Sequence, residues 1–191
     1  MRHGSSPRRL ALCVITASVA AVLTSSGCWN PVNPATGDPD TPEYYTNVDS
    51  AWKVVKNLEY AYQARDLDHY MDCFRDDFEF HLLEVDWDDY DGDGVIDEYW
   101  GLDLEEQFHE AMFGFVDEID LTLTGISEWP WSGDSTGQSL ELDRTFDLKV
   151  YYTIPGSPYE GSQASGQAMF ICRPDSSGQW YIWQWFDLSE T

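Results

Sequence analysis

Apolar positions recur along this chain with two periods, and the switch between them predicts its elements. Ala51, Val55, Leu58 and Tyr62 fall on one helical face, and Asp49 stands where an N-terminal cap is expected. Ala64-Arg65-Asp66 interrupts that helix, and Asp66 is placed to cap a shorter one carrying Leu67, Tyr70, Met71 and Phe74. Phe78, Phe80 and Leu82 then alternate with polar residues through DDFEFHLLEV, which predicts a strand. A third helix is expected after Trp100, with Asp103 and Glu106 as a capping box and Leu104, Phe108, Ala111, Met112 and Phe115 on its buried face. From Ile119 onward the period is two. Ile119, Leu121 and Leu123 mark one strand, and Leu140, Leu142, Phe146, Leu148, Val150, Tyr152 and Ile154 mark a long second one. Turns at Gly156-Ser157-Pro158 and Ser176-Ser177-Gly178 separate a third strand, around Ala164 to Arg173, and a last one from Gln179 to Leu188.

Helices grouped before a run of strands indicate an α+β fold, three N-terminal helices packed on one face of a curved antiparallel sheet. Strict alternation in the last strand sends Trp180 and Ile182 one way and Tyr181, Trp183 and Trp185 the other. A strand apolar on both sides needs its second face covered, by another copy of the chain in a homodimer through the sheet or by long loops folding over it.

The segment before these elements has its own pattern. Arg2, Arg8 and Arg9 precede an uncharged apolar run from Leu10 to Leu23, and Ser25-Ser26-Gly27 lead into Cys28. A basic start, a short apolar stretch and small residues predict an export signal over 1–27; the run is short of the about 20 residues a membrane-spanning helix needs. Gly27-Cys28 resembles the lipobox of bacterial lipoproteins, with Ser25 where Leu is usual, which implies acylation of Cys28 and a lipid anchor to a membrane of the cell envelope. Secretion behind an ordinary signal peptide is the alternative, and Arg8-Arg9 also permits twin-arginine export. Residues 28–47, rich in Pro, Asn, Thr and Asp, predict a spacer without apolar period, and 48–191 a single domain.

Charge narrows the partners. All 35 acidic residues follow Gly27 while three of the ten basic ones precede it, so seven lysines and arginines face 35 acids there, a net −28. Such a surface excludes nucleic acid, whose binding needs Lys and Arg to displace counterions. With 9 Trp, 11 Tyr and 9 Phe the chain is too aromatic for an acidic disordered tail. Cys73 and Cys172 are the cysteines left after Cys28. In an oxidising compartment they form either a disulfide, adding about 4.7 kcal/mol for a loop of about 100 residues, or two separate buried thiols.

The run NLEYAYQARDLDHYMDCFRDDFEFHL, with its long helix, R-D break, short helix and DDF-F strand, resembles the start of nuclear-transport-factor-2-like and SnoaL-like domains, the cone-shaped fold shared with ketosteroid isomerase. GQWYIWQWFDLS resembles the W-x-I-x-x-W-x-D final strand of exported members through Trp180, Ile182, Trp185 and Asp187. The likeness spans Val48 to Leu188 and implies a strongly curved sheet with a pocket between it and the helices. Dimerisation through the sheet is frequent in that family. The fold hosts isomerases, dehydratases and non-catalytic modules alike, so function has to come from the site.

Candidate chemistry is concentrated in an insertion at 86–100. DWDDYDGDGVIDEYW fits the calcium-loop pattern D-x-D-x-D-G-x-x-D, with carboxylates of Asp89, Asp91, Asp93 and Asp97 and the carbonyl of Val95 as ligands. Position 12 is Trp100 instead of Glu, so this is no complete EF-hand, and a bare acidic turn is the competing account. Calcium is the one cofactor expected; no organic cofactor is. His69, His81 and His109 lack zinc spacing. Weak catalytic candidates are His81, Glu84 and Asp187 as proton carriers, with Arg144 to hold an anionic substrate. Arg144 shares parity with Leu142, Phe146 and Leu148, so it points inward unless a bulge intervenes, and burial demands a carboxylate partner or an anionic ligand. Two functions follow from these features. The first is a lipid-anchored, non-catalytic binding or assembly domain for an unidentified small-molecule or protein ligand. The second is a small cofactor-independent isomerase or dehydratase. Polar groups converging on a water-filled pocket favour the enzyme, and a cone filled with rings and leucines disfavours it.

Overall fold

A computed structural model describes residues 43–156 and 160–189. The export signal, Cys28, most of the spacer and the Ser157-Pro158 turn lie outside the described residues. No helix among the described residues is long and apolar enough to cross a membrane.

Helix α1 (Ala51–Ala64) buries Ala51, Val54, Val55, Leu58, Ala61 and Tyr62. Ser50, not Asp49, is its cap residue and makes no side-chain capping bond. Asp49 is held instead by Lys53 at 2.8 Å and by the Ser50 hydroxyl, one position too early to reach the first turn. Arg65 closes the helix in the left-handed region (φ 53°), and its N–H and that of Asp66 bond back to Tyr62 and Ala61. Asp66 then caps α2 (Leu67–Met71) by accepting from the His69 N–H at 3.1 Å, as the sequence predicts.

Strand β1 (Glu79–His81) and strand β2 (Tyr99–Gly101) flank the acidic insertion. The predicted strand at Phe78–Leu82 is thus cut to three residues, because the chain turns away through a 3₁₀ turn at Glu84–Asp86. Helix α3 (Leu102–Phe115) starts directly from β2, with Gly101 as its cap residue. That early start places Asp103 and Glu106 inside the helix, and the predicted capping box does not form. The buried face is also rotated by one position: Glu105, His109, Met112 and Phe113 point inward, and Phe115 is 42% exposed against Tyr152. Phe108 is covered elsewhere, by Trp100 at 5.1 Å and Tyr90 at 6.2 Å.

Strands β3 (Glu118–Pro130), β4 (Leu140–Tyr152), β5 (Glu160–Pro174) and β6 (Trp180–Asp187) form an antiparallel meander. The six-stranded order is β2-β1-β6-β5-β4-β3, with β1 parallel to β6. Leu58, Phe74, Phe78, Leu142, Phe170 and Ile182 form the centre of the core between helices and sheet. Two irregularities bend the sheet, one between Gly125 and Ser127 in β3 and one where β6 meets β5. In the second, Cys172 pairs with Ile182 but Ile171 with Gln184, so Trp183 is an extra residue. Strict alternation therefore fails. Trp185 joins Trp180 and Ile182 on the core side, opposite Phe170, and Tyr181 stays on the outer face. The outer face is covered in part by the chain itself, since Trp131 of the β3–β4 connection packs on Trp183 at 5.3 Å.

Candidate functional site

The acidic loop between β1 and β2 is shaped by its own backbone. Gly94 has φ +90°, a conformation glycine adopts without strain, and its N–H donates to Asp89 Oδ2 at 2.9 Å. Asp91 accepts from the Asp93 N–H at 3.0 Å, and Asp97 accepts from the Tyr90 N–H at 3.0 Å. These bonds bring carboxylate oxygens of Asp89, Asp91 and Asp97 within 4.8 Å of one another. Asp89 Oδ1 is shielded from solvent and has no hydrogen-bond partner among the described residues. A buried anionic oxygen with no donor is costly, and a hard divalent cation is the species that suits it. Asp93 does not join the three: its Oδ1 accepts the Val95 N–H at 2.8 Å, and Val95 itself is exposed.

A second polar cluster is buried between the three helices and Trp100 of β2, on the face of α3 that apolar periodicity does not predict. Glu105 is fully buried. Its carboxylate accepts from the Tyr70 hydroxyl and from Trp100 Nε1, the latter at 2.6 Å. His109 Nδ1 faces only acceptors, the Glu105 carbonyl at 3.0 Å and Glu105 Oε1 at 3.3 Å, so it carries the proton. In the neutral ring Nε2 is then an acceptor, and the Tyr62 hydroxyl donates to it at 2.5 Å. Burial first, and the Glu105 charge second, push the Tyr62 and Tyr70 hydroxyls above the usual tyrosine range. Aromatic rings close the cluster: Tyr70 stacks on His109 at 4.2 Å, and Phe113 stands edge-on to Tyr62 at 5.5 Å. The Glu105-His109 pair at i, i+4 beside Met112 and Phe113 is a readable signal for this site, outweighed by the more apolar frame one position away.

The four predicted catalytic residues do not converge. Phe80 takes the inward position on β1, stacked on Trp100 at 4.6 Å, so its neighbour His81 faces outward. There His81 bonds Glu79 at 3.0 Å and stacks on Phe186 at 4.2 Å. Glu84 is exposed in the 3₁₀ turn beyond the end of the strand. Asp187 closes the β6 end by accepting from the Ser189 N–H and hydroxyl. It also faces Asp86, whose carboxyl is pushed up by burial and then by the Asp187 charge. Arg144 alone points into the cone as predicted, 7% exposed and paired with Glu128 at 2.6 Å. Cys73 and Cys172 are two buried thiols not joined to each other, Cys73 donating to the His69 carbonyl at 3.4 Å, and burial pushes both well above the ordinary thiol range.

Three helices against the concave side of a bulged, six-stranded sheet define the nuclear-transport-factor-2-like, SnoaL-like α+β fold. Solved structures with that architecture superpose on this chain. A nuclear-transport-factor-2-like superfamily protein from Salmonella enterica gives a TM-score of 0.53 at 8% identity, covering 73% of this chain and 87% of that one. A ketosteroid-isomerase-like protein from Erwinia carotovora gives 0.52 at 12% identity, covering 75% and 97%. A protein from Planctomyces limnophilus gives 0.54 at 16% identity, covering 71% and 90%. No family model and no curated protein matches the sequence. At such identities the likeness is one of fold, and that fold serves isomerase- and dehydratase-type enzymes as well as non-catalytic domains.

Proposed function

We propose that this chain is an exported, lipid-anchored, non-catalytic binding or assembly domain, stabilised by calcium and dimeric through its sheet. The observation that carries the non-catalytic reading is the interior. Glu105, His109, Tyr62, Tyr70 and Trp100 satisfy one another and are packed by rings, and none of them lines the grooves between β4 and β5 and between α1 and β3–β4. The isomerase or dehydratase alternative has one observation in its favour, the hydrogen-bonded chain from Tyr62 through His109 to Glu105. The calcium reading rests on the unpartnered Asp89 Oδ1 among three converging carboxylates. The dimer reading rests on Trp129 and Ile126, which remain exposed on β3, an edge strand of the sheet.

The test is thermal melting of the full-length chain with calcium and with a chelator. At 100 times Kd a ligand of the folded state adds about 2.7 kcal/mol, and Asp91→Asn with Asp97→Asn is expected to abolish the gain. No shift at millimolar calcium leaves the loop an acidic turn. Sedimentation velocity on the same samples is expected to give a dimer, and a monomer removes the assembly reading.

A further inference from the structure

Of the seven lysines and arginines that follow Gly27, Lys53 and Lys56 on α1 are paired with Asp49 and Glu59, each at 2.8 Å, and Arg144 on β4 stands across from Lys56. There an open groove of about 280 Å³ runs between α1 and β3–β4, walled by Tyr45, Trp52, Lys56, Glu59, Gly125 and Arg144. The Arg144 guanidinium is held from behind. Its Nη1 donates to the carbonyls of Asp143 at 2.9 Å and Ser127 at 3.3 Å, the second of these just past the β3 irregularity. It lies over Gly125, where an added Cβ would stand 3.6 Å from Nη1. Among the described residues its carboxylate partner is Glu128, whose side chain is 46% exposed. These bonds occupy three of the five guanidinium N–H groups. A buried, backbone-anchored arginine whose counter-charge is a half-exposed side chain is a receptor for an exchangeable carboxylate.

The rest of the wall narrows the ligand. Trp52 is 43% exposed and stands edge-on to Tyr45 at 5.1 Å, with the Lys53 ammonium 5.9 Å and 5.6 Å from the two rings. We propose that this groove binds a small aromatic carboxylate, its ring against Trp52 and its carboxylate replacing Glu128 on Arg144. A neutral ring leaves Glu128 in place and gains only the aromatic wall, whereas an acid without a ring leaves Trp52 in water. This inference rests on the reading of the domain as a binding module, and on neither calcium nor the dimer.

The probe is 4-fluorobenzoate, followed by fluorine NMR with the full-length chain, against the neutral isostere 4-fluorobenzamide. Saturable binding of the benzoate is expected, with the benzamide at least tenfold weaker. Glu128→Gln removes the competing carboxylate and is expected to tighten benzoate binding at least threefold. Trp52→Ala is expected to weaken it by a similar factor, and Arg144→Gln by at least tenfold. Because Arg144 is buried and its loss endangers the fold, the two surface variants carry the test by themselves. Equal binding of the two probes, weaker binding in Glu128→Gln, or no saturable binding overturns the proposal. A dimer in sedimentation with no benzoate binding overturns the groove alone; a monomer with no binding overturns the module reading as well.

Discussion

Replacing Glu105 tests whether the buried cluster is a structural keystone. The fully buried carboxylate takes the Tyr70 hydroxyl, Trp100 Nε1 and a share of His109 Nδ1. In Glu105→Leu all three donors lose that acceptor in a site closed to water. Each unsatisfied buried group costs about 1–3 kcal/mol, so two stripped donors, Tyr70 and Trp100, and a His109 Nδ1 left with the residue 105 carbonyl alone are expected to cost about 3–5 kcal/mol. For a domain of this size that lowers Tm by roughly 6–20 °C. Glu105→Gln is expected to cost much less, about 1–2 kcal/mol. Its carbonyl can accept from Trp100, which only donates, while its amide donates to Tyr70, whose hydroxyl can turn and accept. Urea unfolding followed by tryptophan fluorescence measures both variants. Equal losses for Leu and Gln, or a Leu variant within about 1 kcal/mol of the parent, would refute this account of the cluster.

Two further outcomes follow from burial. Tyr62 and Tyr70 have folded pKa values above the unfolded value of about 10, so their contribution is complete below that pH and is lost as pH rises beyond it. Urea midpoints are expected to fall above pH 10 less steeply in Tyr62→Phe than in the parent, and an identical alkaline limb counts against this. Cys73 and Cys172 are expected to resist iodoacetamide in the folded chain and to react in urea, because burial disfavours the thiolate. Peptide mapping that finds either one labelled in the folded chain, or the two peptides linked, contradicts that.

What the sequence reveals depends on whether the deciding contact is local. The break at Arg65-Asp66 is legible because the bonds that end one helix and cap the next, backbone N–H groups to Tyr62 and Ala61 and the Asp66 carboxylate from the His69 N–H, are local. The inward turn of Arg144 is legible because β4 itself carries no extra residue between Leu142 and Phe146. The last strand is not legible in the same way, since the irregularity at Trp183 arises from pairing with β5 and leaves no mark on alternation within β6. On α3, two frames one position apart compete. The apolar frame through Leu104 and Phe108 looks better in isolation, but distant residues reverse the choice. Tyr70 and Trp100 satisfy Glu105 inside, while Tyr90 and Trp100 cover Phe108 outside. The acidic loop is legible as a pattern, yet only the fold shows that Asp89, Asp91 and Asp97 converge without Asp93.

The covering of Phe108 links the acidic loop to the core. Tyr90 stands edge-on to Trp100 at 5.2 Å, its hydroxyl donates to the Asp86 carbonyl at 2.7 Å, and its N–H donates to Asp97. Trp100 in turn donates to Glu105. One residue therefore holds both a carboxylate of the proposed cation site and the aromatic lid over α3. If the lid orders the loop for the cation, linkage requires the cation to order the lid by the same free energy. Tyr90→Ala is then expected to weaken calcium binding about fivefold or more, while Tyr90→Phe, which keeps the ring, stays nearer the parent. Competition with a fluorescent chelator measures both affinities. Equal calcium affinity in the parent and Tyr90→Ala would mean that the carboxylates assemble without the lid, and the coupling between loop and core would be absent.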